Sequence, residues 1–228
     1  MEPKFEVLPP GPSQPRSQPP KPGRGGLWGI LAAIGAVLFK IGLPLLVWLK
    51  TAGTMLLSIG AYSIFFGWKF AAGLVVLILV HEMGHFISAR YYRIPVTAPT
   101  FIPLFGAYVL LKSRPMNPWT NAIISYAGPL AGGLGGWACY YLACYYDKEW
   151  LMAVALYTFI LNLVNLAPVP PLDGSHIWIC FSRNRTPDMV FTDRVYLGFF
   201  VTGLIAGLLL GIMYTWGNLP PPSSLAPH

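Results

Sequence analysis

Residues 70–80 run Phe-Ala-Ala-Gly-Leu-Val-Val-Leu-Ile-Leu-Val, and the next five are His81-Glu82-Met83-Gly84-His85. Ionisable groups at membrane depth cost free energy, so two imidazoles and a carboxylate at the end of such a run mark a functional site. Residues four apart on a helix lie one turn above each other, so His81 and His85 can share one metal ion. Glu82 is turned about 100° from His81 by the helical repeat. It can reach a water on that metal without ligating the metal. Zinc accepts neutral imidazole nitrogens and, in catalytic sites, keeps one position open for water. The metal acidifies the water, and Glu82 can take the proton as general base. The bland alternative is two histidines packed in a bundle by chance; the H-E-x-x-H spacing and its place after an apolar run argue against it.

Two histidines leave the site incomplete, and a carboxylate is wanted as third ligand. Outside the motif the acids are Glu2, Glu6, Asp147, Glu149, Asp173, Asp188 and Asp193. Asp173 stands out because it ends Asn165-Leu-Ala-Pro168-Val-Pro170-Pro171-Leu172-Asp173-Gly174, which follows the apolar run 150–167. Prolines cannot continue a helix, and the backbone groups they free must find partners. Inside a bilayer such broken backbone is tolerated where it faces protein or a watery cavity. A plain Pro-Asp-Gly turn at the membrane surface is the other reading of these residues.

Taken in order, the motifs resemble the site-2 protease family of intramembrane zinc metalloproteases. They are His81 to His85; Ala127-Gly128-Pro129-Leu130-Ala131-Gly132; and Asn165, Pro168, Pro170, Leu172, Asp173, Gly174 as N-x-x-P-x-P-x-L-D-G. Ile102-Pro103-Leu104-Phe105-Gly106-Ala107-Tyr108-Val109 is similar to the strand-forming loop after that family's first motif helix. The resemblance covers about residues 68–185. It implies His81, His85 and Asp173 as ligands of one Zn2+ and Glu82 as base. It also implies hydrolysis of a peptide bond in or near the transmembrane segment of a membrane protein, which releases a tethered factor to the cytoplasm. The family often continues Asp-Gly-Gly-Arg, where this chain has Asp173-Gly174-Ser175-His176. His176 is left out of the ligand set.

Hydrophobic residues make up 55% of the chain and charged residues 10%, with mean hydropathy +0.56. Soluble domains carry about 25% charged residues, so the composition is that of a membrane protein. The net charge is +7, but no basic face suited to nucleic acid is apparent. The expected fold is an all-α polytopic membrane protein: a three-helix catalytic core with a short membrane-associated β-hairpin, plus flanking transmembrane helices. Residues 1–26 form a solvated Pro-rich tail and 27–67 a transmembrane helix with an interfacial or re-entrant segment. The core is 68–185, the C-terminal transmembrane helix 186–217, and 218–228 a tail. Within these, spans are expected at 27–49, 69–91, 119–145, 150–168 and 195–216. A cleaved signal peptide is the rival for 27–39, but apolar sequence resumes at once with no small-residue cleavage site. Residues 52–66 fall short of the roughly 20 needed to cross.

With the N-terminus inside and 52–66 not crossing, eleven basic residues share one side: Lys4, Arg16, Lys21, Arg24, Arg90, Arg93, Lys112, Arg114, Arg183, Arg185 and Arg194. Lys50, Lys69 and Lys148 fall on the other, and Lys40 within a span. By the positive-inside rule the larger group is cytoplasmic. The His85 end and the Asp173 loop come out on that same side.

Gly128, Gly132 and Gly136 line one helix face, which small-xxx-small packing would set against the zinc helix. Gly203, Gly207 and Gly211 repeat the pattern for internal packing or for a homo-oligomer. An exposed edge in Ala107–Lys112, with Tyr108 and Val109, could hold an unwound substrate by strand addition. Asn165 could donate to the substrate carbonyl or satisfy backbone freed by the prolines; Asn162 reads as an interhelical contact. The three cysteines fit no zinc spacing. Two rivals come from other classes. One is a catalytically silent homologue that binds membrane proteins as a chaperone, which would have no need of Glu82. The other is a metal transporter, which would need polar residues along a path rather than at one depth. Two histidines and a carboxylate also suit non-haem iron; Glu82 favours zinc.

Overall fold

A computed structural model describes residues 26–113, 117–182, 186 and 189–219. Most of the Pro-rich tail, residues 220–228, and Arg114, Arg183 and Arg185 lie outside these. The chain divides into two units at Pro44. Helix α1 (Gly26–Phe66) runs through that boundary. In the first unit Ile30, Leu31, Ile34, Val37, Leu38 and Phe39 are all exposed. A helix apolar all round is suited to lipid.

The second unit begins with Leu45–Phe66 of α1. Gly67, at φ 78°, breaks the helix, and α2 (Trp68–Tyr91) starts at once. The two run antiparallel: Phe66 and Phe70 rings lie 5.4 Å apart near the turn, and Trp48 and Phe86 rings 6.0 Å apart at the far end. The break expected between 49 and 52 is therefore absent. Lys50 and Thr51 carry no helix-breaking chemistry, and Gly67 is the actual stop. Lys50, expected in an outer loop, lies inside α1. At 1.5 Å per residue Leu45–Phe66 is about 33 Å long, enough for the roughly 30 Å hydrocarbon core.

Strands β1 (Thr100–Ile102) and β2 (Gly106–Tyr108) pair antiparallel, with Thr100 opposite Tyr108 and Ile102 opposite Gly106. Pro99 and Pro103 bracket β1, which limits it to three residues because proline cannot donate to a ladder. Past Tyr108 the pairing continues only as an isolated bridge between Val96 and Leu111. This is shorter than the strand expected over Ala107–Lys112. The hairpin is tied to α1: Thr51 Oγ1 donates to the Pro99 carbonyl at 2.7 Å, and the Phe101 N–H donates to Thr54 Oγ1 at 3.3 Å.

Helix α3 (Pro118–Tyr146) opens on Asn117, whose side chain accepts from the Trp119 N–H at 2.8 Å. It closes at Asp147, in the left-handed region at φ 51°. Helix α4 (Glu149–Asn165) returns and ends before the proline run. A five-residue α5 (Gly174–Trp178) and a 3-10 turn (Ile179–Phe181) follow, then α6 (Phe191–Asn218). Helices α2, α3 and α4 pack on one another, and α6 covers α3 and α4. Phe159 of α4 is fully buried, wedged where Gly136 of α3 and Gly211 of α6 leave no room for a Cβ.

Among the described residues the regular structure is helical apart from that hairpin. Stretches of α1, α2 and α6 are long and apolar enough to cross a bilayer. Helix α3 has 29 residues and buries mostly glycine, alanine and serine, while α4 has 17 and buries Thr158 and Asn162 among larger apolar side chains. Inner helices of a bundle meet protein rather than lipid, so they need not be apolar throughout. Gly211 is spent on internal packing, while Gly203 and Gly207 have nothing within 4 Å of an added Cβ. They border an open groove between α3 and α6 that Trp137 partly fills, its Nε1 donating to the Gly207 carbonyl at 3.3 Å.

Candidate metal centre

His81 and His85 stand one turn apart near the end of α2, with their Nε2 atoms 3.1 Å apart. Asp173, 88 residues further on, meets both. Its Oδ2 lies 3.2 Å from His81 Nε2 and its Oδ1 lies 3.2 Å from His85 Nε2. Among the described residues these three form a group whose ligating atoms all lie within 4.8 Å of one another.

The remaining ring nitrogens fix how the two imidazoles face the centre. His85 Nδ1 lies 2.8 Å from the backbone carbonyl of Ile124. A carbonyl only accepts, so the proton sits on Nδ1 and the Nε2 lone pair points inward. His81 Nδ1 lies 2.8 Å from Asn162 Oδ1, and Asn162 Nδ2 donates to the Thr158 carbonyl at 2.7 Å. The same logic fixes His81. In the neutral rings two imidazole lone pairs and a carboxylate then converge, an arrangement that suits a cation. Tetrahedral zinc bonds of 2.0–2.2 Å would hold ligand atoms about 3.3–3.6 Å apart, within a few tenths of an ångström of the separations here. The residues therefore fit the metal.

Asp173 is delivered by the broken end of α4. The chain turns at Leu166 and folds back so tightly that a Cβ on Gly174 would strike the Leu166 carbonyl. That carbonyl also takes a 2.8 Å hydrogen bond from Trp178 Nε1. Glycine is required at 174, and the turn leaves the Asp173 side chain free of any capping bond.

His81 and Glu82 are 7% and 6% exposed, so the general-base candidate is almost wholly enclosed. Both border a cavity of about 250 Å³ whose other walls are Tyr62 of α1, Leu104 to Ala107 of the hairpin, and Leu161, Asn162 and Asn165 of α4. Asn165 Nδ2 lies 3.4 Å from His81 Nε2. Tyr108 and Val109 are half-exposed or partly buried and are not among the cavity's lining residues; the turn just before them is. His176 adds no ligating atom to the cluster; its backbone N–H donates to the Asp173 carbonyl at 3.1 Å.

The α3 glycines do more than let helices approach. A Cβ on Gly128 would collide with the His85 ring, and one on Gly132 with the Asn162 amide. They clear space for a ligand and for the partner of a ligand. Asn162 is the functional residue that the sequence reading understates. Its signal is there: a polar side chain within an apolar run, three residues before Asn165 and so on the same helix face.

Residues 69–149, which hold His81, Glu82, His85 and the glycine face of α3, match peptidase family M50, the site-2 protease family. The chain is 28% identical over 167 residues to a candidate zinc metalloprotease, Rip3, of Mycobacterium tuberculosis. That similarity covers 67% of this chain and 41% of Rip3. It is also 39% and 40% identical over 67 residues to candidate chloroplastic zinc metalloproteases, EGY1, of Arabidopsis thaliana and of Oryza sativa subsp. japonica. These cover 27% of this chain and 12% of each relative. The chain thus spans less than half the length of the curated relatives it matches.

Proposed function

We propose that this chain is a zinc endopeptidase that hydrolyses a peptide bond in or near a transmembrane segment of a membrane protein. One observation carries the reading: the His81–His85–Asp173 cluster meets beside an enclosed Glu82, and His81 and Glu82 open onto a cavity walled by membrane-type helices. Zinc held by those three side chains supplies an acidified water and polarisation of the scissile carbonyl. Glu82 takes the water's proton and returns it to the leaving amine, as general base and then general acid. Asn165, whose amide points into the same space, donates to the carbonyl oxygen as negative charge develops on it. A helical peptide bond is shielded by its own hydrogen bonds, so the substrate must be extended. The hairpin whose turn lines the cavity offers strand pairing for it, with Tyr108 and Val109 beyond the turn.

The site opens on the cytoplasmic side. Arg90 and Arg93 at the end of α2, Lys112 after the hairpin and Arg194 at the start of α6 lie at one set of helix ends. Lys69 and Lys148 lie at the opposite set, and the denser basic side is the cytoplasmic one. Cleavage there frees a tethered segment into the cytoplasm.

A silent, substrate-binding homologue would keep the pocket but have no use for Glu82. The test is Glu82→Gln in purified protein co-reconstituted with a single-span membrane substrate. Bound zinc is expected to stay at one per chain while cleavage falls by about 100-fold or more. Cleavage at the wild-type rate would remove the protease reading in favour of the binding one.

A further inference from the structure

Asn162 sits in the middle of α4, 3% exposed, and its amide has a hydrogen bond at each end. Nδ2 donates to the Thr158 carbonyl at 2.7 Å, and Oδ1 faces His81 Nδ1 at 2.8 Å. The first bond decides the second. A backbone carbonyl cannot donate, so the amide cannot flip without setting oxygen against oxygen. With Oδ1 held toward the ring, His81 must carry its proton on Nδ1 and its lone pair on Nε2, the atom 3.2 Å from Asp173. The space for this amide exists because residue 132 has no side chain: a Cβ there would overlap both Asn162 Oδ1 and Nδ2.

We infer that Asn162 is a positioning residue for the metal: through the Thr158 carbonyl it locks the tautomer and ring angle of His81, and Gly132 is the clearance that lets it do so. His85 is locked differently, by the Ile124 backbone carbonyl, which no side-chain substitution removes. The two histidines are therefore unequal. His81 alone depends on a replaceable side chain, and loss of that partner weakens metal binding without removing a ligand. The inference rests on the metal-site reading above.

The test uses the full chain purified in detergent. Zinc affinity is measured by competition with a chromophoric chelator, and the cobalt(II)-loaded protein is followed by its visible absorption. Asn162→Leu keeps the volume and removes both hydrogen bonds; its zinc affinity is expected to fall about 10–100-fold. Its cobalt bands should shift, since the ring that ligates is no longer held. Asn162→Asp retains an acceptor for His81 and, when protonated, a donor for Thr158, so it should recover most of the affinity. Gly132→Ala leaves Asn162 in the sequence but denies it its place. It should reproduce the Asn162→Leu loss, and the double variant should be little worse than either single one. Wild-type affinity and cobalt bands in both Asn162→Leu and Gly132→Ala would overturn the inference. So would an Asn162→Asp variant as weak as Asn162→Leu, because then packing alone is at work. Zinc binding that Asp173→Ala leaves at the wild-type level would take down the metal-site reading itself, a result distinct from the other two.

Discussion

A methyl group added at Gly128 would collide with the His85 imidazole, whereas one added at Gly203 would meet nothing within 4 Å. These two glycines sit in the same kind of small-residue stripe, so their difference is a matter of place. The His85 ring could evade a new Cβ only by giving up its bond to the Ile124 carbonyl. Gly128→Ala should therefore lose zinc affinity together with about 1–3 kcal/mol of stability, the usual cost of overpacking. Gly203→Ala should be neutral or gain up to about 1 kcal/mol from alanine's better helix propensity. Chelator competition and thermal unfolding in detergent read both, and equal losses in the two variants would sink the distinction. At this scale much of the site is legible beforehand. The H-E-x-x-H spacing places His81, Glu82 and His85 on one helix end because four residues make one turn. Asp173 is legible only as a candidate, since no local pattern measures a distance across 88 residues. Asn162 is hidden by its surroundings: an amide in an apolar helix has several ways to be satisfied, and only the fold selects one.

The elements were harder to read than the residues. Hydropathy reports where a segment is apolar, and helix ends are set by backbone chemistry. Residues 52–66 by themselves fall short of the roughly 20 needed to cross. The helix continues through them to Gly67. The hairpin erred in the other direction. Its sequence favours a strand from Ala107 onward, but pairing needs a partner, and the prolines at 99 and 103 leave only three residues to supply one. The turn is where the hairpin meets the chemistry: Gly106, at φ 101°, lines the cavity with Leu104 and Phe105. An alanine there has open space around its Cβ but must hold a backbone conformation that costs about 1–3 kcal/mol. Gly106→Ala should relax the turn out of that conformation and disturb the strand edge. Bound zinc should remain one per chain, while cleavage of a membrane substrate slows several-fold, mainly through KM. Unchanged cleavage would mean that the hairpin shields the site without holding substrate.

For the molecule as a whole, the cluster ties a turn far along the chain to the helix that carries both histidines. His81 and His85 belong to α2, inside the packed bundle. Asp173 belongs to the turn between α4 and the five-residue α5, too short to be stable alone. With the cation absent, only hydrogen bonds from protonated imidazoles to the carboxylate hold the contact together. With it present, the turn is tied to the bundle, so binding energy becomes folding energy of this segment. At free zinc near 1,000 times Kd the linkage amounts to about 4 kcal/mol, or roughly 10 °C in Tm for a chain of this size. Chelation should therefore lower the unfolding temperature of the wild type by that order, and it should leave Asp173→Ala almost unmoved. The loosening should also be local before it is global. In hydrogen exchange of the chelated protein, amides of the turn from Ala167 to Asp173 should open while those of α2 to α4, around Phe159, and of the buried Ile177 and Cys180 stay protected. A uniform loss of protection would mean that the cation supports the whole bundle. Equal unfolding temperatures with and without chelator would mean that the three side chains close without it, and that the clasp belongs to the protein alone.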